Sequence, residues 1–251
     1  MSDRATFLST IQRALGKLEG RPVPVAPSPE SGLSVAPANL IREAALVRDA
    51  MGRDAGPLLD ALAETARKGS WVVTRAGTHE DAADAVADIC RRTGISTALR
   101  STEDIFERVP VDRTLASAGV SLKVMARLQG GAEDAMGSAR AELRQAAFTV
   151  EAGITGGDYA IAETGTLVVH PRRGLSRLIS LAPPRHIAII ERGRVLPSLD
   201  ELFILERETL LRGELPSSMN LISGPSRTGD IEATIVHGIH GPLEAYLVLV
   251  G

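Results

Sequence analysis

The apolar positions at the start of the chain repeat with the period of a helix. They are Phe7, Leu8, Ile11, Leu15 and Leu18, and they fall on one helical face. Repeated prolines from Pro22 to Pro37 then remove amide donors and prevent helix formation. We therefore predict an amphipathic helix at 1–19, an extended linker at 20–37 and an α/β domain at 38–251. The helix either packs on the core of its own chain or serves as an arm for a partner.

The pattern from Ala38 to Leu99 alternates between helix and strand. It predicts a helix over Ala38–Arg67 interrupted at Gly56-Pro57, a strand over Ser70–Thr74, a helix over Thr78–Arg92 closed by Gly94, and a strand over Ser96–Leu99. Strands that alternate with helices usually pair in parallel. We therefore predict an α/β fold with a mostly parallel sheet flanked by helices.

Short β-prone segments dominate the chain after a helix predicted over Glu133–Ala146. For residues 101–132 we expect short helices and loops. The predicted strands that follow are Phe148–Ile154, Tyr159–Ala162, Thr166–His170, His186–Ile190, Asn220–Ser223 and Ala245–Val250. Helices are expected over Leu175–Ser180 and Ser198–Leu211.

The charge composition argues against a protein that binds nucleic acid or a membrane surface. The chain has 28 basic and 31 acidic residues and a formal net charge of −3, so it has no global field that attracts these partners. Aromatic residues are 3%, which leaves little for base stacking. No apolar run approaches the roughly 18 residues of a membrane span. We therefore predict a cytoplasmic protein without a membrane span.

The rarity of cysteine and lysine excludes two kinds of chemistry. Cys90 is the single cysteine, whereas an iron–sulfur cluster usually requires four thiolates. Any such cluster would belong to a partner, and we expect Cys90, in an apolar helical stretch, to be buried and inert. No lysine follows Lys123, so the second half of the chain cannot supply a Schiff-base amine.

A turn between two β-prone segments carries a carboxylate and two hydroxyls. In Glu163-Thr164-Gly165-Thr166, the glycine suits a positive φ and the threonines can satisfy turn amides. This pattern is typical of a tight hairpin. Alternatively, Glu163 acts as a general acid or base beside hydroxyls that bind a ligand.

A histidine begins the apolar segment that ends at Ile190. The preceding Pro183-Pro184 stiffens the entry to this strand. His186 could bind a ligand or transfer a proton, but a single histidine at a strand start is more often a hydrogen-bonded structural residue.

The most informative segment follows the apolar pair Leu221-Ile222. Here Gly224-Pro225 precedes Ser226, Arg227 and Thr228, a sequence that suits a loop whose amides, hydroxyls and guanidinium converge on a carboxylate or phosphate. Because the loop follows a strand, we expect it at the carboxyl edge of the sheet, where open α/β sheets bind ligands. It has neither a Walker ending nor a GxGxxG turn.

The acidic residues that follow, Asp230 and Glu232, have two interpretations. In the first, they orient Arg227 from behind a bound anion. In the second, the segment is a capped helix start in which Arg227 pairs with one of the two carboxylates. The residues alone do not decide between them.

Two histidines and two glycines lie together in His237-Gly238-Ile239-His240-Gly241-Pro242. With Asp230 and Glu232 nearby in sequence, the histidines suggest a zinc or iron site, since imidazole and carboxylate suit both metals. The glycines disfavour helical ligand spacing, so we predict no metal. Instead, we expect the glycines to let this backbone approach the Arg227 segment closely.

Taken together, these segments resemble the lactate-utilisation protein C family, whose members contain the lactate-utilisation domain. The matching residues are Ile154-Thr155 with Ala160–Thr166, then Leu181–His186, Gly224–Glu232 and Gly238–Pro242. Four ordered motifs over about 90 residues are far more specific than any one alone.

The resemblance implies a role in growth on L-lactate and a fold similar to the sugar-phosphate isomerase and CoA-transferase superfamily. Family members act beside two partners that carry the iron–sulfur clusters, and one partner type combines this domain with ferredoxin-like cysteines. This chain has Cys90 alone and fits the subunit without a cluster. We therefore expect a subunit that needs iron–sulfur partners to oxidise lactate to pyruvate and that binds no cofactor itself.

The predicted site rests on the chemistry of the residues, because the resemblance supplies no established catalytic residues. Glu163 is the candidate acid or base. The candidate anion-binding residues are Thr164, Gly165, Thr166, Gly224, Ser226, Arg227 and Thr228, and the supporting residues are Asp230, Glu232, His186, His240 and Gly241. Two rival functions are an independent CoA-transferase-like or isomerase-like enzyme on an activated acid or sugar phosphate, and a purely structural assembly module.

Overall fold

The described part of the chain starts just before its first helix, α1 (Pro37–Arg53). A computed structural model describes residues 36–125, 133–172, 176–214, 216, 218–231 and 234–251, with the backbone alone in 133–140, 228–231 and 234–237. The helix predicted at 1–19 and nearly all of the linker predicted at 20–37 lie outside these residues. Pro37, predicted as the end of the linker, instead opens α1, a position that proline suits because the first helical amide needs no partner.

Six parallel strands form the central sheet. They are β1 (Val72–Ala76), β2 (Thr97–Arg100), β3 (Ser121–Val124), β4 (Ala152–Gly156), β7 (Arg185–Glu191) and β12 (Glu244–Val250), in the order β1-β12-β7-β4-β2-β3. Every neighbouring pair is parallel. The α/β fold with a mostly parallel sheet is therefore confirmed.

Helices cover both faces of this sheet. One face packs against α3 (His79–Thr93), α4 (Ile105–Arg108) and α5 (Val111–Ser117). The other packs against α2 (Ala55–Lys68), α6 (Glu133–Thr149) and α7 (Leu178–Leu181). Alternate strand residues supply the two cores: Ile187 and Ile189 point to the first, and Ala188 and Ile190 to the second. Burial on both faces explains why the strand sequences are nearly continuous apolar runs.

The connections that leave the neighbouring strands β2 and β4 run in opposite directions across the sheet. The chain leaves β2 through α4 and α5 on one face, and it leaves β4 towards α7 on the other. Where two such connections diverge, a crevice opens at the carboxyl ends of the strands, and open α/β sheets bind ligands there. The crevice therefore lies above Arg100 and Gly156.

The helix signals read from the sequence are largely found. Thr78 and Asp81 form a capping box at the start of α3, and Gly94 ends that helix with φ 68°. The break predicted at Gly56-Pro57 is instead at Asp54, between α1 and α2. Pro57 lies in the first turn of α2, where its missing amide costs no helical hydrogen bond.

Two predictions near the middle of the chain are confirmed only in part. The strand predicted over Phe148–Ile154 begins only at Ala152, because α6 continues to Thr149. The hydroxyl of Thr149 donates back to the Gln145 carbonyl and satisfies the last turn of that helix. Strand β3, for which only helices and loops were expected, is supported by its pairing with β2.

A second sheet lies beside the first and contains β5 (Tyr159–Ile161), β6 (Thr166–Val169), β8 (Val195–Leu196) and β9 (Asn220–Ile222). Its order is β8-β5-β6-β9. Helix α8 (Leu199–Leu211) follows β8 and starts from a capping box at Ser198. With α1, these elements enclose a third core.

The segment after β9 forms a hairpin that was not predicted. Its strands are β10 (Arg227–Ile231) and β11 (Thr234–His237), which pair antiparallel with Arg227 opposite His237. A helix start, one of the two interpretations of this segment, is therefore wrong. Among the described residues, no helix is long and apolar enough to cross a membrane.

Candidate functional site

The turn that carries Glu163 is a hairpin, as predicted. Strands β5 and β6 pair antiparallel, and Gly165 has φ 65°. Glu163 is exposed, and its amide donates to the carbonyl of Pro197. The Thr164 hydroxyl donates to Thr166 Oγ1 over 2.7 Å, so the two threonines stabilise the turn.

The turn and the segment before Arg227 come together. Thr166 Oγ1 lies 2.8 Å from Ser223 Oγ, which links the two motifs directly. The indole of Trp71 donates to the Gly165 carbonyl over 3.1 Å, and Arg227 Nη2 donates to the Gly69 carbonyl over 2.9 Å. Both motifs therefore contact the connection between α2 and β1.

This position corrects the expected location of the Arg227 segment. Strand β9 belongs to the second sheet, and the segment after it lies against Gly69, which precedes β1. A β carbon on Gly224 would fall 2.2 Å from the Gly69 oxygen, so glycine is required for this contact. The motifs thus contact the amino edge of the parallel sheet, opposite the edge where such sheets bind ligands.

The Ser226 segment lies against the His240 loop, as the glycines suggested. Ser226 Oγ accepts a hydrogen bond from the His240 amide over 3.1 Å, and its amide donates to the Pro242 carbonyl over 2.8 Å. A β carbon on Gly241 would lie 3.4 Å from the β carbon of Ser226. The Ser226 hydroxyl, predicted to bind an anion, is therefore used to hold this loop.

Part of the predicted site lies outside the described side chains. These residues are Thr228, Asp230, Glu232 and His237. The proposed support of Arg227 by the two carboxylates thus stays a prediction. Among the residues that the structure does describe, no group of three histidine, cysteine or acidic side chains is arranged to hold a metal ion.

His186 lies in the interior at the start of β7. It is fully buried, its Nε2 lies 2.8 Å from Thr155 Oγ1, and its ring centroid lies 6.0 Å from that of Trp71. Burial lowers its pKa to about 4, so the ring is neutral at physiological pH. These contacts match the structural interpretation of this histidine. Cys90 is also fully buried, and burial raises the pKa of its thiol to about 11, so the thiolate is not formed at neutral pH.

A different set of polar residues lies at the carboxyl edge of the parallel sheet. Glu103 follows β2 at the crevice and is only 5% exposed. One of its oxygens accepts a hydrogen bond from Ser101, and the other has no partner among the described residues. Burial raises the Glu103 pKa to about 7, although the bond from Ser101 opposes the shift. A β carbon on Gly156 would lie 3.2 Å from the β carbon of Glu103, so the chain passes closely beneath it.

Asp158 and His170 form a pair next to this carboxyl group. Asp158 follows β4 and His170 follows β6, and the β5–β6 hairpin brings them together. Asp158 Oδ2 accepts from the His170 amide over 2.7 Å and lies 3.2 Å from His170 Nδ1. Arg172 Nη1 donates to the other carboxylate oxygen over 2.9 Å. Burial acts to raise the pKa of Asp158, but these bonds outweigh it and the pKa is lowered.

His170 lies between two carboxylates. Its Nε2 is 3.0 Å from Glu206 Oε1 without meeting hydrogen-bond geometry, so this contact is chiefly electrostatic. Burial acts to lower the His170 pKa, but the bond to Asp158 and the charge of Glu206 outweigh it and the pKa is raised. The protonated imidazole is thus stabilised.

A cavity of about 760 Å³ opens beside this pair, and we refer to it as the edge cavity. The residues that line it include Asp158, Tyr159, His170, Arg172, Arg194 and Glu206. Arg194 is held by Asp104, which precedes α4, over 2.6 Å. The volume is within the usual range for small-molecule sites, roughly 300–1,000 Å³. Two guanidinium groups, an imidazole and carboxylates can together bind a polar acid and share a proton with it.

The sequence interpretation did not identify these residues. Asp158 follows Gly156-Gly157 at the end of a buried strand, a position where polar groups meet the crevice of an α/β sheet. The position of Asp158 could therefore have been recognised from the sequence. His170 gave no such signal, because it was interpreted as the end of a strand and its partner Glu206 is distant in sequence.

Comparisons with known proteins identify related sequences. A family model described as LUD domain matches residues 59–250. The chain is similar to Lactate utilization protein C of Halalkalibacterium halodurans, at 41% identity over 112 residues that cover 43% of this chain and 47% of that protein. It is also similar to Lactate utilization protein C of Bacillus subtilis, at 36% identity over 99 residues that cover 39% and 41%. The match thus spans about half the length of these curated relatives, or less.

Solved structures also show a likeness. A crystal structure of a DUF162 family protein from Deinococcus radiodurans covers 86% of this chain and 99% of that chain, with 15% identity and a TM-score of 0.43.

Proposed function

Because the chain belongs to the LUD domain family, we propose that it takes part in lactate utilisation. Its role is that of a component without a cluster in a cytoplasmic system that oxidises L-lactate to pyruvate, and it acts together with iron–sulfur partner subunits. The observation that carries this proposal is the family match over residues 59–250, together with relatives named Lactate utilization protein C.

The cysteine content supports the division of labour in this proposal. Oxidation of lactate to pyruvate releases two electrons, which must pass to an acceptor. Cys90 is the single cysteine and is fully buried with a raised pKa, so this chain offers no set of thiolates for a cluster. The partner subunits would supply the clusters that accept the electrons.

Growth of a strain that lacks the gene tests the role in lactate utilisation. We expect the deletion strain to grow poorly on L-lactate as the sole carbon source and normally on pyruvate, and we expect a plasmid copy to restore growth. Equal growth of the deletion and parent strains on L-lactate would contradict the proposal.

Purification of the tagged chain from lactate-grown cells tests the partners. We expect it to retain proteins that contain iron and inorganic sulfide, and we expect the chain purified alone not to oxidise L-lactate with an artificial electron acceptor. Turnover by the chain alone would contradict the division of labour.

A further inference from the structure

We propose that the edge cavity binds a small carboxylic acid that has a hydroxyl or keto oxygen on the adjacent carbon. Arg172 and Arg194 hold the carboxylate, and His170 donates a hydrogen bond to the adjacent oxygen. The class of acid rests on the proposed function, whereas the choice of cavity rests on the geometry of the described residues.

The cavity has the position expected of a ligand site in this fold. Asp158 lies two residues beyond the end of β4, and Arg194 lies three residues beyond the end of β7. Both strands belong to the parallel sheet, and β4 borders the crevice at which the connections from β2 and β4 diverge. The cavity therefore opens at the carboxyl edge, unlike the motifs around Arg227.

Arg172 is fixed in place and still has donors to spare. Its Nη1 is bound to Asp158 and, over 3.3 Å, to the His170 carbonyl, while its Nε and Nη2 make no hydrogen bond to any described residue. The side chain is 45% exposed. A guanidinium anchored through one nitrogen can present its remaining N–H groups to a carboxylate with little loss of conformational entropy.

Arg194 supplies the second cation from another element. Its Nη2 is bound to Asp104, and its Nη1 makes no hydrogen bond to any described residue. Arg172 and Arg194 line the same cavity and are held by different carboxylates, so a ligand carboxylate that bound their remaining N–H groups would displace neither ion pair.

His170 can donate a hydrogen bond to the adjacent oxygen of the ligand, because only one of its two ring nitrogens is already paired. Nδ1 is paired with Asp158, which fixes the orientation of the ring. Nε2 is close to Glu206 but has no hydrogen bond, so its proton can be donated to a ligand oxygen. The raised pKa favours the protonated ring that this role requires.

The predicted anion site around Arg227 is the rival location. There the guanidinium donates to the Gly69 carbonyl and the Ser226 hydroxyl accepts from the His240 amide. These groups hold the segment against the residues that precede β1, at the amino edge of the parallel sheet, whereas open α/β sheets bind ligands at the carboxyl edge. The described contacts therefore favour the edge cavity.

Calorimetric titration of the purified full chain tests the proposal, with L-lactate, pyruvate and propionate as probes. We expect L-lactate and pyruvate to bind and propionate, which lacks the adjacent oxygen, to bind at least tenfold more weakly. Arg172→Gln and Arg194→Gln should each weaken binding of L-lactate at least tenfold. His170→Asn, which keeps a donor to Asp158, should remove the preference for L-lactate over propionate.

Arg75→Gln is the matched control. Its guanidinium is also 45% exposed and paired with one aspartate, Asp60, but it does not line the cavity. We expect this variant to bind as the wild type does. Thermal unfolding of each variant identifies any that fails to fold. Because Arg172 and Arg194 lie in separate parts of the chain, either variant alone still tests the site if the other does not fold.

Three results would overturn the proposal. The first is no binding of either oxygenated acid, and the second is equal loss of affinity in Arg75→Gln. The third is loss of binding in Arg227→Gln with normal binding in the two cavity variants, which would place the acid at the rival location. Failure of the proposed function is distinct, because it appears as normal growth of the deletion strain on L-lactate whatever the purified chain binds.

Discussion

The hydroxyls of Thr166 and Ser223 lie 2.8 Å apart although the two residues are 57 positions apart in the chain. This bond joins the Glu163 turn to the segment that leads to Arg227, and both of these pack on the end of α2 and the residues before β1. The two most distinctive motifs of the sequence are thus parts of one packed unit. Its integrity depends on glycines at the points of closest approach.

Gly165→Ala tests this packing. At φ 65° an alanine is strained by about 1 kcal/mol, and its β carbon would also fall 2.7 Å from the backbone of Ala66, a clash that adds about 1–3 kcal/mol. We expect a loss of unfolding free energy of about 2–4 kcal/mol in urea.

Gly94→Ala is the control for that measurement. Gly94 has nearly the same φ, 68°, but a β carbon there would meet nothing within 4 Å. It should therefore lose about 1 kcal/mol from strain alone. If both variants lost the same stability, the close contact between Gly165 and α2 would be refuted.

His186 should make the protein sensitive to mild acid. Burial lowers its folded pKa to about 4, below the unfolded value near 6.5. The unfolded state then binds more protons between these values, so stability is full above pH 6.5 and falls as the pH drops towards 4. The full contribution is on the order of 3 kcal/mol.

The measurement compares wild type with His186→Gln by urea unfolding at several pH values. Glutamine keeps a polar atom near Thr155 Oγ1 but does not titrate. We expect the stability of wild type relative to the variant to decrease between pH 6.5 and 4. A difference that does not vary with pH would show that the ring is not held neutral.

Glu103 should make the stability of the protein depend on pH in the opposite direction. Its folded pKa is raised to about 7 by burial, so the stability it contributes is present below the unfolded pKa near 4.5 and is lost as the pH rises to 7. Glu103→Gln removes this titration and keeps an acceptor for Ser101. We expect the variant to be more stable than wild type at pH 8, with the difference vanishing near pH 4.

The control is Glu107→Gln on α4, which replaces an exposed glutamate close in sequence. An exposed carboxylate is not destabilised by burial, so this variant should be no more stable than wild type at pH 8. If Glu103→Gln were less stable than wild type at pH 8, the buried carboxylate would have a favourable partner that the described contacts lack.

The pairing of His170 can be measured by NMR titration of its ring. Burial favours the neutral ring, but Asp158 and Glu206 outweigh it and Arg172 opposes them only in part, so we expect a midpoint above 6.5. Asp158→Asn removes the hydrogen-bonded carboxylate and should lower the midpoint. A wild-type midpoint below 6.5, or no change in the variant, would refute the pairing.

The sequence predicts the fold class well because local patterns determine it. Continuous apolar runs that alternate with capped helices require a buried parallel sheet, and the Thr78 box and Gly94 mark one helix at both ends. The local preference of a segment for helix or strand fails to predict its structure where pairing with another strand decides it. The polar segment from Arg227 forms a strand only because β11 supplies its partner, and Phe148 stays helical despite its preference for strands.

The edge cavity could not be predicted in the same way. Its pair, Asp158 and His170, meets because a hairpin returns the chain, and Glu206 joins them from α8, a helix of the neighbouring sheet. No spacing rule links these three positions. The predicted residues were instead those with distinctive local composition. The described groups of Thr164, Ser226 and Arg227 bond to turns and loops, and His186 lies buried in the interior.

The order of strands also constrains how the protein is made. Strand β1 pairs within the sheet with β12 alone among the described strands, although β12 follows every other strand of that sheet in the chain. During synthesis, residues 72–76 therefore leave the ribosome long before the strand that joins them to β7 exists. Until residues 244–250 emerge and pair with both β1 and β7, the edges of those two strands that β12 later covers stay unpaired. The nascent chain must keep these edges from associating with other chains.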